Sequence, residues 1–277
     1  MKASKITRAI NHLESCKEIL DQEGFGERSV ELQSLISDLR SAKQSEMEVL
    51  YTNAKHRRAT ISNLPGSRRL DFFKAWENDV KTEYYTRILS SYANWEFPAL
   101  EIFPGSGGIL PSVVSSEPLY IADWDDHVLQ QASTQFNGYY SSKRLMQYRI
   151  TGYDLSNLPQ NSFGLIYCVN WLRFEDHQGL ITLAKAAYDL LMPGGFYIFS
   201  YNPLEKHWAV ELLEKAEACG ANSEELESDL RSIGFEIADH HIEGVNNTHF
   251  KLKKPGEIER IKSGSVLGKI IDKPTEI

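Results

Sequence analysis

Two stretches of the chain carry residue types that could hold a nucleoside. Leu100-Glu101-Ile102-Phe103-Pro104-Gly105-Ser106-Gly107-Gly108 ends an apolar run in a glycine-rich turn, and Tyr120-Ile121-Ala122-Asp123 ends the next apolar run in a carboxylate. Glycines let the backbone approach a ligand with no Cβ in the way, and a helix opened by such a turn presents unpaired N–H groups. A carboxylate at the tip of the following strand can accept both ribose hydroxyls. A dinucleotide fingerprint, G-x-G-x-x-G, would need a third glycine at position 110, where the chain has Leu110, so a nicotinamide cofactor is disfavoured.

An acidic residue followed by x-G-x-G-x-G fits Glu101, Gly105 and Gly107, with Phe103 at the first glycine. At these residues the sequence resembles the class I S-adenosylmethionine-dependent methyltransferases, in particular their broad small-molecule "type 11" branch, over roughly Phe97 to Leu252. Further segments carry the same resemblance in the same order. Asp123-Trp124-Asp125-Asp126 is similar to the acidic strand end and next helix start; Thr151-Gly152-Tyr153-Asp154 with Leu158-Pro159 is similar to the third-strand exit. Leu165 to Asn170 reads as the fourth strand, and Leu190-Leu191-Met192-Pro193-Gly194-Gly195 leads into the fifth.

The resemblance implies S-adenosylmethionine as cofactor, with cofactor-binding places at Glu101, Phe103, Gly105, Gly107, Asp123, Trp124, Asp154, Leu155 and Asn170. Asp123 would take the ribose, Asp154 the adenine amino group, and Trp124 or Leu155 would give adenine a flat apolar wall. The bend at Gly105 and Gly107 would receive the methionine end. Two positions depart from the family pattern: Phe103 puts a ring where a glycine is usual, and Gly164 stands where Phe-Asp-Leu-Ile has its Asp.

Methyl transfer from a sulfonium is an in-line displacement that requires alignment and exclusion of water, and a base only when the acceptor arrives protonated. No strong catalytic residue stands out. Asn170, Trp171, His177, Tyr201 and Asn202 follow the fourth and fifth strands, and His177, Tyr201 and Asn170 are the catalytic candidates among them. His177 also suits an exposed helix start, and Tyr201-Asn202-Pro203 an ordinary turn. Asn170-Trp171-Leu172-Arg173 lacks the Pro-Pro-Tyr that base-methylating enzymes carry there, which argues for a small-molecule or protein acceptor. Asp239-His240-His241 and His249 suggest no metal site, since neighbours on a strand face opposite sides.

Composition narrows the class. The net charge is −8, and residues 1–95 carry fifteen Lys and Arg against thirteen Asp and Glu, so the acidic surplus lies in the remainder. That balance argues against coating nucleic acid; Lys55-His56-Arg57-Arg58 and Arg68-Arg69 read as solvated helix ends. Cys16, Cys168 and Cys219 form no C-x-x-C pair, and no run reaches membrane-spanning length, so a reducing cytoplasm is expected.

Before residue 96 the periodicity predicts three amphipathic helices: Ile6 to Leu20, Leu32 to Ala54, and Phe73 to Tyr92. This region, 1–95, is expected to pack, lid the site, or join subunits into a homo-oligomer. From 96 to 253 strands (99–103, 118–123, 147–151, 163–169, 194–201, 234–239, 247–252) alternate with helices (107–115, 126–135, 177–191, 204–218, 223–233). The pattern predicts a doubly wound, mainly parallel seven-stranded sheet, with 254–277 as a tail. The expected function is an S-adenosylmethionine-dependent methyltransferase; the alternative is an inactive methyltransferase-fold scaffold or assembly protein.

Overall fold

The computed structural model describes residues 2–62, 82–141, 144–169, 171–244 and 248–258. Helix α1 (Ala3–Gln22) and the long α2 (Gly26–Ser62) form a hairpin. Gly24 takes φ 81° in its turn, which ends α1 where the apolar stripe ends. Buried Ala3, Ile6, Thr7 and Ile10 recur at three- and four-residue steps on α1, and Ile36, Met47 and Ala54 are buried apolar residues of α2. Leu35, part of the predicted stripe, is exposed. Phe73, Trp76 and Val80 of the third predicted helix lie outside the described residues; α3 runs over Thr82–Ser90 and buries Tyr85 and Leu89.

The sheet has seven strands in the order β3-β2-β1-β4-β5-β7-β6. They are β1 (Ala99–Ile102), β2 (Leu119–Asp123), β3 (Leu145–Arg149), β4 (Phe163–Cys168), β5 (Leu191–Ser200), β6 (Glu236–His241) and β7 (His249–Lys253). β1 to β5 are mutually parallel; β7 runs antiparallel to β5 and β6. The edge strand β6 is largely solvent-facing and breaks register between Ile237 and Asp239. Among the described residues the α/β unit continues with α4 (Asp126–Tyr139), α5 (His177–Leu190), α6 (His207–Glu214) and α7 (Ser223–Ile233).

Alternation along the strands sorts the core into two layers. Leu100, Ile102, Ile166, Cys168, Tyr197 and Phe199 face α5 and α7. Ala99, Ile121, Leu165, Tyr167 and Ile198 face α3 and α4. A third cluster docks the hairpin: Ala3, Met47 and Ala54 pack on Leu204, Ala209, Val210, Leu213 and Cys219, around α6.

The helix predicted at 107–115 is not formed. One 3-10 turn, Leu110–Val113, takes its place, because Gly107 and Gly108 disfavour helix and Pro111 contributes no N–H. β3 pairs earlier than predicted, with Leu145 opposite Leu119, and α6 is shorter than 204–218: Leu204 bonds instead to Ala221, and Ala216 turns to φ 52°. The residues up to Ile258 pack back on the β5 turn, where the Gly194 N–H donates to the Lys254 carbonyl at 2.9 Å.

Candidate cofactor crevice and acceptor cleft

At the carboxyl end of β1 the Phe103 N–H still pairs with the Ala122 carbonyl, at 2.8 Å, and then the chain turns sharply. Phe103, Gly105 and Gly107 take φ of 58°, 56° and 85°, so a phenylalanine sits in the left-handed region that glycine favours. At Gly107 a Cβ would stand 3.0 Å from Ala132 Cα, so the bend rests directly on α4. The Phe103 ring packs at 4.5 Å from Trp124 and 5.4 Å from Trp171, and those two indoles are 4.8 Å apart. Three strand exits, β1, β2 and β4, are thereby joined by one aromatic triangle.

Glu101 faces the other side of the sheet. It is buried and accepts from the Tyr167 hydroxyl at 3.1 Å. Burial, then the Glu101 charge, pushes the Tyr167 phenol well above its ordinary range, and the same two causes raise the Cys168 thiol.

Asp123, at the end of β2, is 4% exposed, and its Oδ1 accepts from the Asp125 N–H at 2.8 Å. Asp125 in turn caps α4 by accepting from the His127 N–H. Trp124, between them, is half-buried. Asp154 is exposed at the turn after β3; the Ser156 hydroxyl and N–H hold its carboxyl below the usual range, and Leu155 beside it is buried. Asn170 lies outside the described residues. Gly164, the second departure, has a local cause: a Cβ there would stand 2.7 Å from the Phe97 side chain, which fills that space.

The remaining candidates after β4 and β5 are held by neighbours. His177 opens α5 and its Nε2 meets Asp229 Oδ2 at 2.7 Å. Tyr201 is buried, its hydroxyl 2.6 Å from Ser223 Oγ and 2.7 Å from His240 Nε2, and burial raises its phenol. Asn202 donates from Nδ2 to the carbonyls of Arg173 and Cys219, tying the β5 exit to the 3-10 turn Trp171–Phe174.

His177 also lines a cleft of about 560 Å³ between the α1–α2 hairpin and the connections after β4 and β5. Glu14, Lys43, Met47, Tyr51 and Glu205 share its wall. Lys43 donates to the Leu204 carbonyl at 2.9 Å, and burial lowers its ammonium pKa. Nothing in the sequence pointed to Lys43, Tyr51 or Glu205, because periodicity does not say where a helical hairpin docks.

No protein-family model and no curated protein matches the sequence. Solved structures do match. A methyltransferase from Clostridium acetobutylicum ATCC 824, described as S-adenosylmethionine-dependent, aligns with TM-score 0.52 at 14% identity over 66% of this chain and 96% of its own. The fold is that of the class I methyltransferases. Mitomycin 7-O-methyltransferase MmcR aligns with TM-score 0.55 at 11% identity, over 69% of this chain and 58% of its own length. The magnesium protoporphyrin IX methyltransferase of Synechocystis PCC 6803, solved with bound SAH, aligns with TM-score 0.50 at 13% identity over 62% and 80%. In this methyltransferase fold the aromatic triangle and Asp123 lie at the carboxyl ends of the strands, beside the point where strand order reverses between β1 and β4, the place where open α/β sheets bind ligands.

Proposed function

We propose that the chain is an S-adenosylmethionine-dependent methyltransferase acting on a small molecule or a protein side chain. The observation that carries this reading is the array at the ends of β1 and β2: a positive-φ bend beside buried Asp123, with Phe103 and Trp124 offering aromatic faces. The donor set suits adenosine. Trp124 and Phe103 match a purine face, Asp123 a ribose diol, Asp154 and Leu155 an adenine edge, and the Gly105–Gly107 bend with Glu101 behind it the amino-acid end. When bound, the cofactor supplies an activated methyl group on sulfur. The chain's part is to align the acceptor and keep water out. The acidic balance of the α/β unit favours an uncharged or cationic acceptor over nucleic acid. Exposed Val30, Leu35 and Val49 on α2 support a homo-oligomer formed through the N-terminal helices.

The test is a melting curve with S-adenosylhomocysteine. At about a hundred times its dissociation constant a ligand stabilises by about 2.7 kcal/mol, which for a chain of this size raises Tm by roughly 5 °C or more. Asp123→Ala is expected to abolish the rise; an unchanged rise rejects Asp123 as the ribose ligand.

One observation favours a second reading. The Phe103 ring bridges Trp124 and Trp171, and only a single 3-10 turn follows the bend, as expected of a scaffold whose crevice is filled. Under that reading S-adenosylhomocysteine leaves the wild-type melting temperature unchanged.

A further inference from the structure

We propose that Glu205, Ser223, Tyr201 and His240 form a proton path that drains the cleft beneath the helical hairpin. Its use in catalysis rests on the methyltransferase reading above; its existence does not. Glu205 lines the cleft. Its Oε1 accepts a short bond from Ser223 Oγ, and its Oε2 accepts from the Ser223 N–H at 3.3 Å. Ser223 Oγ is 2.6 Å from Tyr201 Oη, which is 2.7 Å from His240 Nε2. Tyr201 and Ser223 are buried, so water does not interrupt the row, and His240, stacked on Phe250 at 3.9 Å, ends it at the sheet edge.

The hydrogen count permits two arrangements of this row. With Glu205 ionised, His240 Nε2–H donates to Tyr201, Tyr201 to Ser223 and Ser223 to Glu205. With Glu205 protonated, every bond reverses and His240 Nε2 accepts. An amine or hydroxyl acceptor that arrives protonated gives its proton to Glu205, which leaves its electron pair free to take the methyl group. The imidazole then exchanges its Nε2 proton for one on Nδ1 through solvent and the two hydroxyls turn, which brings the row to its protonated arrangement; from there Glu205 passes a proton to Ser223 Oγ, Ser223 passes one to Tyr201, and Tyr201 passes one to His240 Nε2. Each oxygen gains and loses one proton, and the imidazole ends one proton richer. Its Nδ1 proton then leaves toward Glu227, 3.8 Å away, or to solvent. The charged or titratable groups facing His240 are Glu227 from α7, Glu205 from the β5–α6 connection, and Asp239 and His241 from its own strand. Glu205 is the proton acceptor in this scheme, and Ser223, Tyr201 and His240 act through it.

The competing explanation is that Glu205 only caps the start of α7 and senses His240 through space. An NMR pH titration of the histidines in the full-length chain separates the two, with the His240 signal identified by its loss in His240→Asn. Glu205→Gln is expected to change the proton affinity of His240 at least about twofold, and more than half of that change should vanish when Tyr201→Phe is also present. Ser223→Ala gives a second break in the row and should act as Tyr201→Phe does. An equal effect of Glu205→Gln with and without these hydroxyls overturns the path. Melting the same proteins with S-adenosylhomocysteine keeps the readings apart: coupling without a ligand shift rejects the methyltransferase reading alone, and a ligand shift without coupling rejects the path alone.

Discussion

Phe103 holds a backbone conformation that costs an L side chain about 1–3 kcal/mol, and the packing of its ring against two indoles offsets that strain. Gly164 illustrates the opposite case, a position where a side chain is refused. Introducing the family's carboxylate there, Gly164→Asp, would drive a charged group against Phe97, and a loss of about 2–4 kcal/mol in urea unfolding is expected. His249 makes the acid limb of stability testable. It is 1% exposed; burial outweighs nearby Asp239 and lowers its pKa from 6.5 to about 4. The folded protein therefore keeps His249 neutral while the unfolded chain protonates first as pH falls. Its contribution is complete above pH 6.5 and is lost between there and about pH 4, on the order of 2–3 kcal/mol. Urea midpoints at pH 7 and pH 4.5 should differ accordingly, and His249→Gln should narrow the difference.

At the scale of elements, what the sequence disclosed followed from periodicity and turn chemistry. The two N-terminal helices were readable because Ile6, Ile10 and Leu13 recur at helical steps before Gly24 and Gly26. All seven strands lay close to their predicted places, and β4 and α7 nearly coincided with theirs, the latter because Asn222 caps its start and Gly234 its end. The segment after Gly107 misled because a glycine-rich turn in this fold ordinarily opens a helix, while here Pro111 and paired glycines permit only one turn. The cleft was illegible for a different reason: its walls come from α1, α2, the β5–α6 connection and the starts of α5 and α7, and no local pattern encodes a docking between such distant segments. That docking rests on a small apolar seam. Leu213→Ala, which removes a fully buried side chain from it, should cost about 2–5 kcal/mol and raise amide hydrogen exchange in α1 and α2 before it does so in β1 or β4.

For the molecule as a whole, the helical hairpin is part of the structure that shapes the cleft. Ser4 donates to Glu214 from both N–H and hydroxyl at 2.8 Å, Asn11 reaches the Glu205 carbonyl, and Lys43 the Leu204 carbonyl. Met47→Asp, which places a charge in the seam between hairpin and α6, is expected to lower Tm by several degrees and, under the proposed function, to leave binding of S-adenosylhomocysteine at the β1 and β2 exits intact; calorimetry with and without the ligand checks both parts. No described helix is long and apolar enough to cross a membrane. The bent, charge-bearing border strand β6 also limits how copies of this chain can meet. A strand that breaks register midway and shows Glu236 and Asp239 to solvent is a poor template for a neighbour's backbone, so self-association at that border is disfavoured, and concentrated protein should gather through the flanks of α2 rather than grow as a continuous ribbon.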